Sequence, residues 1–362
     1  MAIRVGFSGV LLVWALAGLV YPRPSFPQDK GGQESAFRSD VDLVSVYFTV
    51  RDDKKRIVSD LPQDKFSVSE EGHPKVIKFF AHHSSVVLNV GMLLDTGTNM
   101  SWILGAEAQA SKLFMKHVIR PTDLGFILSY ASRVETVQLP TSDIRLLEEQ
   151  ADTIGNRAGT IGLSERDVAS EPRVWGGGTV GINGRRPLDG NREAHLYDAI
   201  RVGTHRYLKG EVGRKAVVIV ALSGDSRSES SLEDTLQALL ENDVIAYVLQ
   251  IYDASKHDRC DVLHIYGKDG HGEYLLKKLA EATGGRMLEV KGIDKLEAAL
   301  DEISDELHHQ YSLGYYPENK NWDGKFRKIQ ISVGEKAYKV YARKGYYANP
   351  PTANAAATRT AY

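Results

Sequence analysis

Between Val86 and Leu94 only Asn89 interrupts an apolar run, which ends in Asp95 and then in small polar residues, Thr96 to Asn99. A strand without polar alternation fits a sheet covered on both faces, as in α/β folds. Ligand sites in such sheets lie beyond the carboxyl ends of the strands. Asp95 and its loop are therefore the first candidate site. From here to His309 apolar runs alternate with helical periodicity. Strands are predicted at Leu124–Tyr130 paired with Val134–Leu139, then at Ala216–Leu222, Val244–Ile251 and Met287–Val290. Helices are predicted at Ala106–Ile119, Asp143–Ile154, Glu193–Leu208, Leu232–Asn242, Glu273–Thr283 and Ile293–His309, with Gly284-Gly285 stopping the fifth. Residues 155–191 break the rhythm and read as a flexible, glycine-rich insertion.

The flanks have a different period. Val41 to Val50 alternates as a half-exposed strand. The turn Asp52-Asp53-Lys54-Lys55 follows, then Ile57-Val58, the segment Phe66–Gly72 and a strand Val76–Phe80. Beyond Gln310, Tyr311–Tyr316, Arg327–Val333 and Lys339–Arg343 are strand candidates. Lone hairpins are marginal in water, so the two flanks are expected to pair into one small sandwich around the α/β unit. The predicted fold class is α/β, a doubly wound, mostly parallel, Rossmann-like sheet with flanking β-rich segments. The expected division is a β module at 39–84, an α/β domain at 86–309 and a β segment at 310–348.

Both ends of the chain read as segments outside this fold. Arg4, the apolar run Val5–Val20 and the small-x-small pair Ala15 and Ala17 read as a secretory signal peptide over residues 1–25. An uncleaved membrane anchor is the alternative. A linker at 26–38 and a disordered tail at 349–362 complete the expected organisation of an exported, periplasmic or secreted protein.

With 45 basic and 47 acidic residues the chain has a net charge of -2, which supplies no bulk field for nucleic acid or an anionic membrane. The expected partner is a protein, recognised locally. Cys260 is the only cysteine, so no internal disulfide forms. With His257, Asp261, His264 and His271 it matches no standard zinc spacing and reads as part of a solvated polar loop. Gly176–Gly181 has the bare glycine spacing of a dinucleotide loop without the strand before it or the helix after it. No phosphate-loop, zinc-protease or nucleophile-elbow motif occurs. The aromatic set Tyr311, Tyr315, Tyr316, Trp322, Phe326, Tyr338, Tyr341, Tyr346 and Tyr347 is read as β core in preference to a contact surface.

Met92-Leu-Leu-Asp-Thr-Gly-Thr-Asn-Met100, with this order of elements, resembles the von Willebrand factor type A domain. Asp64–Gly72, Leu196–Ile200, Gln310–Pro317, Asp323–Ile329 and Ala342–Tyr346 extend the likeness to type-A-related exported proteins of acidobacteria, over roughly residues 40–348. The resemblance implies binding of a partner, without catalysis, at the strand ends. In that superfamily a divalent cation sits there, held by Asp-x-Ser-x-Ser, a Thr and a second Asp. Here Asp95 matches the first carboxylate, and Gly97 and Asn99 occupy the serine positions. The Thr position falls on Ala194. The second Asp position falls on Gly224, with Asp225 one residue later.

The resemblance thus implies a degenerate site whose candidate metal ligands are Asp95, Asn99 and Asp225. Candidate partner-binding residues are Asp95, Thr98, Asn99, Ser223 and Asp225. No cofactor is expected. The alternatives are a rebuilt site holding Mg²⁺, Mn²⁺ or Ca²⁺ that captures a carboxylate, and an uncharacterised hydrolase.

Overall fold

The computed structural model describes residues 43–82, 86–97, 101–157, 194–221, 224–252, 271–292, 295–334 and 337–349. The expected signal peptide, the linker, most of the insertion, the tail from residue 350 and the loop around Cys260 lie outside the described residues.

Six strands build the central sheet: β5 (Leu88–Asp95), β6 (Leu124–Tyr130), β7 (Val134–Thr141), β8 (Arg214–Ala221), β9 (Val244–Tyr252) and β10 (Met287–Lys291). Their order is β10-β9-β8-β5-β6-β7, parallel throughout except for the antiparallel edge pair β6–β7. The doubly wound fold expected from the pattern is the one observed. The unalternating apolar runs have their explanation in β8. There Ala216, Val218 and Val220 enter the core on one face, and Val217, Ile219 and Ala221 enter the core on the other.

The first face is covered by α1 (Ser101–Val118), α2 (Ile144–Arg157) and α6 (Leu296–His308). The second is covered by α3 (Leu196–Val202), α4 (Leu232–Glu241) and α5 (His271–Thr283). Gly91 is needed in β5 because the Phe126 ring fills its side-chain space, with Cζ 2.1 Å from where a Cβ would sit. Gly284, at φ +90°, ends α5 in a Schellman motif, with Gly285 N–H donating to Ala280 O at 2.9 Å.

The flanks form two four-stranded antiparallel sheets. One has the order β13 (Lys339–Ala342), β1 (Val44–Arg51), β11 (Tyr311–Tyr315), β4 (Phe79–His82). The other has the order β14 (Gly345–Tyr347), β12 (Phe326–Val333), β2 (Phe66–Glu70), β3 (His73–Lys75). Val46, Phe48, Val68, Tyr311, Tyr315, Ile329 and Tyr346 share one core between them, so the two flanks make a single sandwich. The chain leaves it through β4 and returns through β11, and these strands are paired, His82 opposite Tyr311. The α/β unit is therefore an insertion between neighbouring strands. Tyr311, Tyr315 and Tyr346 are core, whereas Phe326 is 42% exposed. Glu70 is buried beneath the sandwich tyrosines and accepts from Tyr315 Oη at 2.9 Å and Tyr346 Oη at 3.0 Å.

Several elements differ from expectation. The predicted strand Val76–Phe80 is replaced by β3 and β4 with Val76 70% exposed between them, because pairing with β2 on one sheet and β11 on the other forces a crossing. Ile57 makes only an isolated bridge to Arg51. α1 begins at Ser101, five residues before the expected start, and runs through Gly105. The helix expected at Glu193–Leu208 is α only to Val202. It then widens into a π turn, Gly203–Leu208, that brings Tyr207 onto Phe126 with ring centroids 5.0 Å apart. The helix expected from Ile293 is helical from Leu296, and β14 was not expected.

The sandwich is fixed to the α/β unit by charge. Arg51 at the end of β1 meets Glu306 at 2.5 Å and Glu302 at 2.8 Å, both on α6. Arg286, just before β10, meets the same two carboxylates at 2.5 and 2.6 Å. Glu306 is fully buried. Removing one member of a buried, balanced group strands the others and costs about 3–5 kcal/mol. Glu306→Ala is expected to lower stability by roughly that amount, read as a lower urea midpoint at unchanged slope; a loss below about 1 kcal/mol would mean that water already screens the cluster.

Candidate functional site

The strand order reverses between β5 and β8, which makes the crevice beyond their carboxyl ends the switch point where such sheets take ligands. Asp95 ends β5, and Gly224 and Asp225 follow β8. The structure thus brings the two sequence-predicted carboxylates to the same edge. Thr98, Asn99 and Ser223 lie outside the described residues.

Asp95 is fully buried, and its Oδ1 accepts the N–H of Gly97 at 3.1 Å. This is an Asx turn, the loop-bracing role that short polar side chains take at strand ends. Thr96 N–H donates to Tyr130 O at 2.9 Å, and Tyr130 Oη donates to Val220 O at 3.1 Å, tying the loop to β6 and β8.

Asp225 is directed at α3. His195 precedes that helix and makes no side-chain cap. Two orphan donors of the first turn are instead satisfied from the loop after β8. Tyr197 N–H donates to Asp225 Oδ1 at 3.2 Å, and Asp198 N–H donates to Ser228 Oγ at 3.1 Å. Asp225 also accepts from Ser228, through the hydroxyl at 2.5 Å and the N–H at 3.2 Å. Ala194 joins the same frame: its N–H donates to Ser226 Oγ at 2.9 Å and its carbonyl accepts from Ser226 N–H at 3.1 Å. Burial, with the charges of Asp225 and Glu233, pushes the Tyr197 phenol up to about 12.

Asp198 is the functional-looking residue that spacing alone did not single out. Its Oδ1 accepts from Ser230 Oγ at 2.7 Å and Ser230 N–H at 3.1 Å. Its Oδ2 accepts from Glu229 N–H at 3.0 Å and lies 3.2 Å from His195 Nδ1. The signal was present in Ser226, Ser228 and Ser230, a run of alternate hydroxyls, but their partners Ala194, the Asp198 N–H and the Asp198 carboxylate lie some thirty residues away in sequence.

These partners decide how well the described residues suit an adhesion-type cation. Ala194 offers no side-chain oxygen and is buried. Gly224 is pressed against the start of α5, where a Cβ would lie 2.7 Å from Gly272 Cα. The expected Thr and Asp positions are thus filled by backbone packing, and Asp225 is committed to α3. Among the described residues no group of three or more His, Cys, Asp or Glu side chains could hold a metal ion. Among the described residues, positions 194 and 224 offer no side-chain ligand for such a site.

One Ser-His-Asp grouping does form, at the opposite edge. His308 Nε2 lies 3.8 Å from Asp123 Oδ2, and its Nδ1 lies 3.2 Å from Ser304 Oγ. All three are buried, the Ser304 hydroxyl donates to His117 O at 2.6 Å, and Asp123 accepts the N–H groups of Leu88 and Arg120 at 2.9 and 3.0 Å. The group braces the helix and strand starts and offers no exposed nucleophile.

No family model matches the chain, and no curated protein matches it. Among solved structures it is similar to the conserved hypothetical protein BatB from Bacteroides thetaiotaomicron, at 12% identity and a TM-score of 0.40 over 62% of this chain and 99% of that one. An aerotolerance-related membrane protein from Bacteroides fragilis gives 13% identity and a TM-score of 0.38 over 60% and 99%. Proximal thread matrix protein 1 from the mussel byssus, solved with a zinc-occupied MIDAS motif, gives 10% identity and a TM-score of 0.41 over 66% of this chain and 50% of that one. This chain spans about half the length of the mussel protein.

A cap removed by mutation costs about 0.5–2 kcal/mol. Asp225→Ala is expected to destabilise the protein within that range and to speed amide exchange at Tyr197, measured by chemical denaturation and hydrogen exchange. An Asp225→Ala variant as stable as the parent would show that the bonds to Tyr197 and Ser228 contribute nothing.

Proposed function

We propose that this chain is an exported, non-catalytic interaction protein of the von Willebrand type A kind. It binds a protein partner through the loops at the carboxyl edge of its sheet, without a complete adhesion-type cation site. The observation that carries the reading is the commitment of Asp225 and Ala194 to bracing α3, beside a buried Asp95 that caps its own loop. A loop edge held rigid by its own hydrogen bonds suits recognition by shape and polar contacts, since an organised surface loses little freedom on binding. Export rests on the apolar N-terminus with its Ala15 and Ala17 pair.

The test has two parts. Mg²⁺, Mn²⁺, Ca²⁺ and Zn²⁺ are titrated calorimetrically into chelator-treated protein, and no saturable heat is expected; saturable binding abolished by Asp95→Ala would overturn the cation-independent reading. The protein is then immobilised in chelator and exposed to envelope and secreted proteins of its own cell. Retention that survives chelator and is weakened at least about tenfold, or about 1.4 kcal/mol, by Arg227→Glu at the exposed edge is the expected result. Turnover on an ester or phosphate panel would favour the hydrolase instead.

A further inference from the structure

The segment from Gly224 to Ser231 lies across the start of α3 as a strap, and Asp198 is the point at which it is fastened. That carboxylate takes three hydrogen bonds from the strap: two from Ser230 and one from the Glu229 N–H. Its own N–H returns a fourth to Ser228 Oγ. The remaining neighbours come from α3 and the residue before it. His195 Nδ1 is 3.2 Å from Oδ2, and Arg201 reaches the same Ser230 hydroxyl at 2.8 Å. On α4, Asp234 is held in its own capping box with Ser231 and stays off the fastening. Glu229 contributes its backbone N–H alone.

We propose that the strap is an acid-released latch, fastened while Asp198 is ionised and opened when that carboxylate takes a proton. A protonated carboxyl keeps one oxygen as a good acceptor and turns the other into a donor; the Glu229 and Ser230 N–H groups can only donate, while the Ser230 hydroxyl can also accept. The two N–H groups, one on each oxygen, then no longer both find an acceptor, and the strap becomes the weakest local unit of the edge. The direction of titration agrees. Burial alone would raise the Asp198 carboxyl; the hydrogen bonds from Ser230, Glu229 and His195 outweigh it and hold it below the usual range. A depressed carboxylate stabilises the fold above its unfolded value, about 3.9, and that stabilisation is lost as pH falls through the folded value. The latch therefore stays closed at neutral pH and opens only in acid, as pH falls through a folded value held below the usual carboxylate range. Opening frees the loop that braces the start of α3 at the recognition edge. The latch itself stands whether or not a partner binds there.

Amide hydrogen exchange of the full chain at pH 6, 4.5 and 3, corrected for intrinsic rates, tests the proposal. Protection at Ser228 to Ser230 and at Tyr197 and Asp198 is expected to fall by about tenfold or more in acid, as a locally opened unit would show, while β8 stays protected. Asp198→Asn should show low strap protection already at pH 6 and no acid step. Ser230→Ala removes one donor without removing the acid, so its step should move to higher pH. The proposal is overturned if the strap and β8 lose protection together, if the acid step survives in Asp198→Asn, or if Ser230→Ala leaves it unmoved.

Discussion

Four charges, two of them buried and two half-buried, hold this molecule in one piece. Arg51 comes from the first strand of the sandwich, Arg286 from the threshold of the last sheet strand, and Glu302 and Glu306 from the last helix. Charges removed from water are costly unless balanced, so the cluster is tolerated only when all three segments are in place. The sandwich can present Arg51 there only because α6 runs within two residues into β11, which pairs with β1. Arg343 adds a second tie between the modules, pairing with Asp243 and donating to Ser45 O at 2.7 Å. Stability is thus shared between a β flank assembled from both chain ends and an α/β unit inserted between its strands.

At the opposite edge of the sheet lie the carboxyl ends of β5 and β8. Each strand end carries a carboxylate that accepts from its own surroundings. Asp95 closes a turn, and Asp225 caps a helix whose own preceding residue, His195, does not. Capping from a distant loop has a consequence that a local cap lacks. The start of α3 and the loop after β8 order each other, so disturbing either one disturbs both. Glycine at 224 completes the arrangement by letting the loop and the start of α5 touch backbone to backbone.

Much of the fold is legible because both periods are strong. Apolar runs without alternation at β5, β8 and β9 can be accommodated only between two helical layers, and the alternating flanks only in half-exposed sheets. The strand predicted at Val76–Phe80 shows where this fails. Its apolar residues look continuous, yet the chain crosses there from one sheet to the other, and sheet membership is decided by distant partners. Similarly, the break of α3 into a π turn serves contacts of Tyr207 with residues far away in sequence, the Phe126 ring and the Thr136 hydroxyl.

The sequence by itself determined the layers of the sheet, the pairing of its two β flanks and the position of Asp95 at a strand end. These follow from local periodicity and from the cost of leaving apolar faces uncovered. Only the tertiary structure decided what the carboxylates do. A carboxylate at a loop can cap a helix, brace a turn or hold an ion with the same residue name, and the choice depends on which donors arrive from elsewhere in the chain. At Asp198 and Asp225 those donors come from a loop and a helix about thirty residues apart, and no local pattern records their meeting.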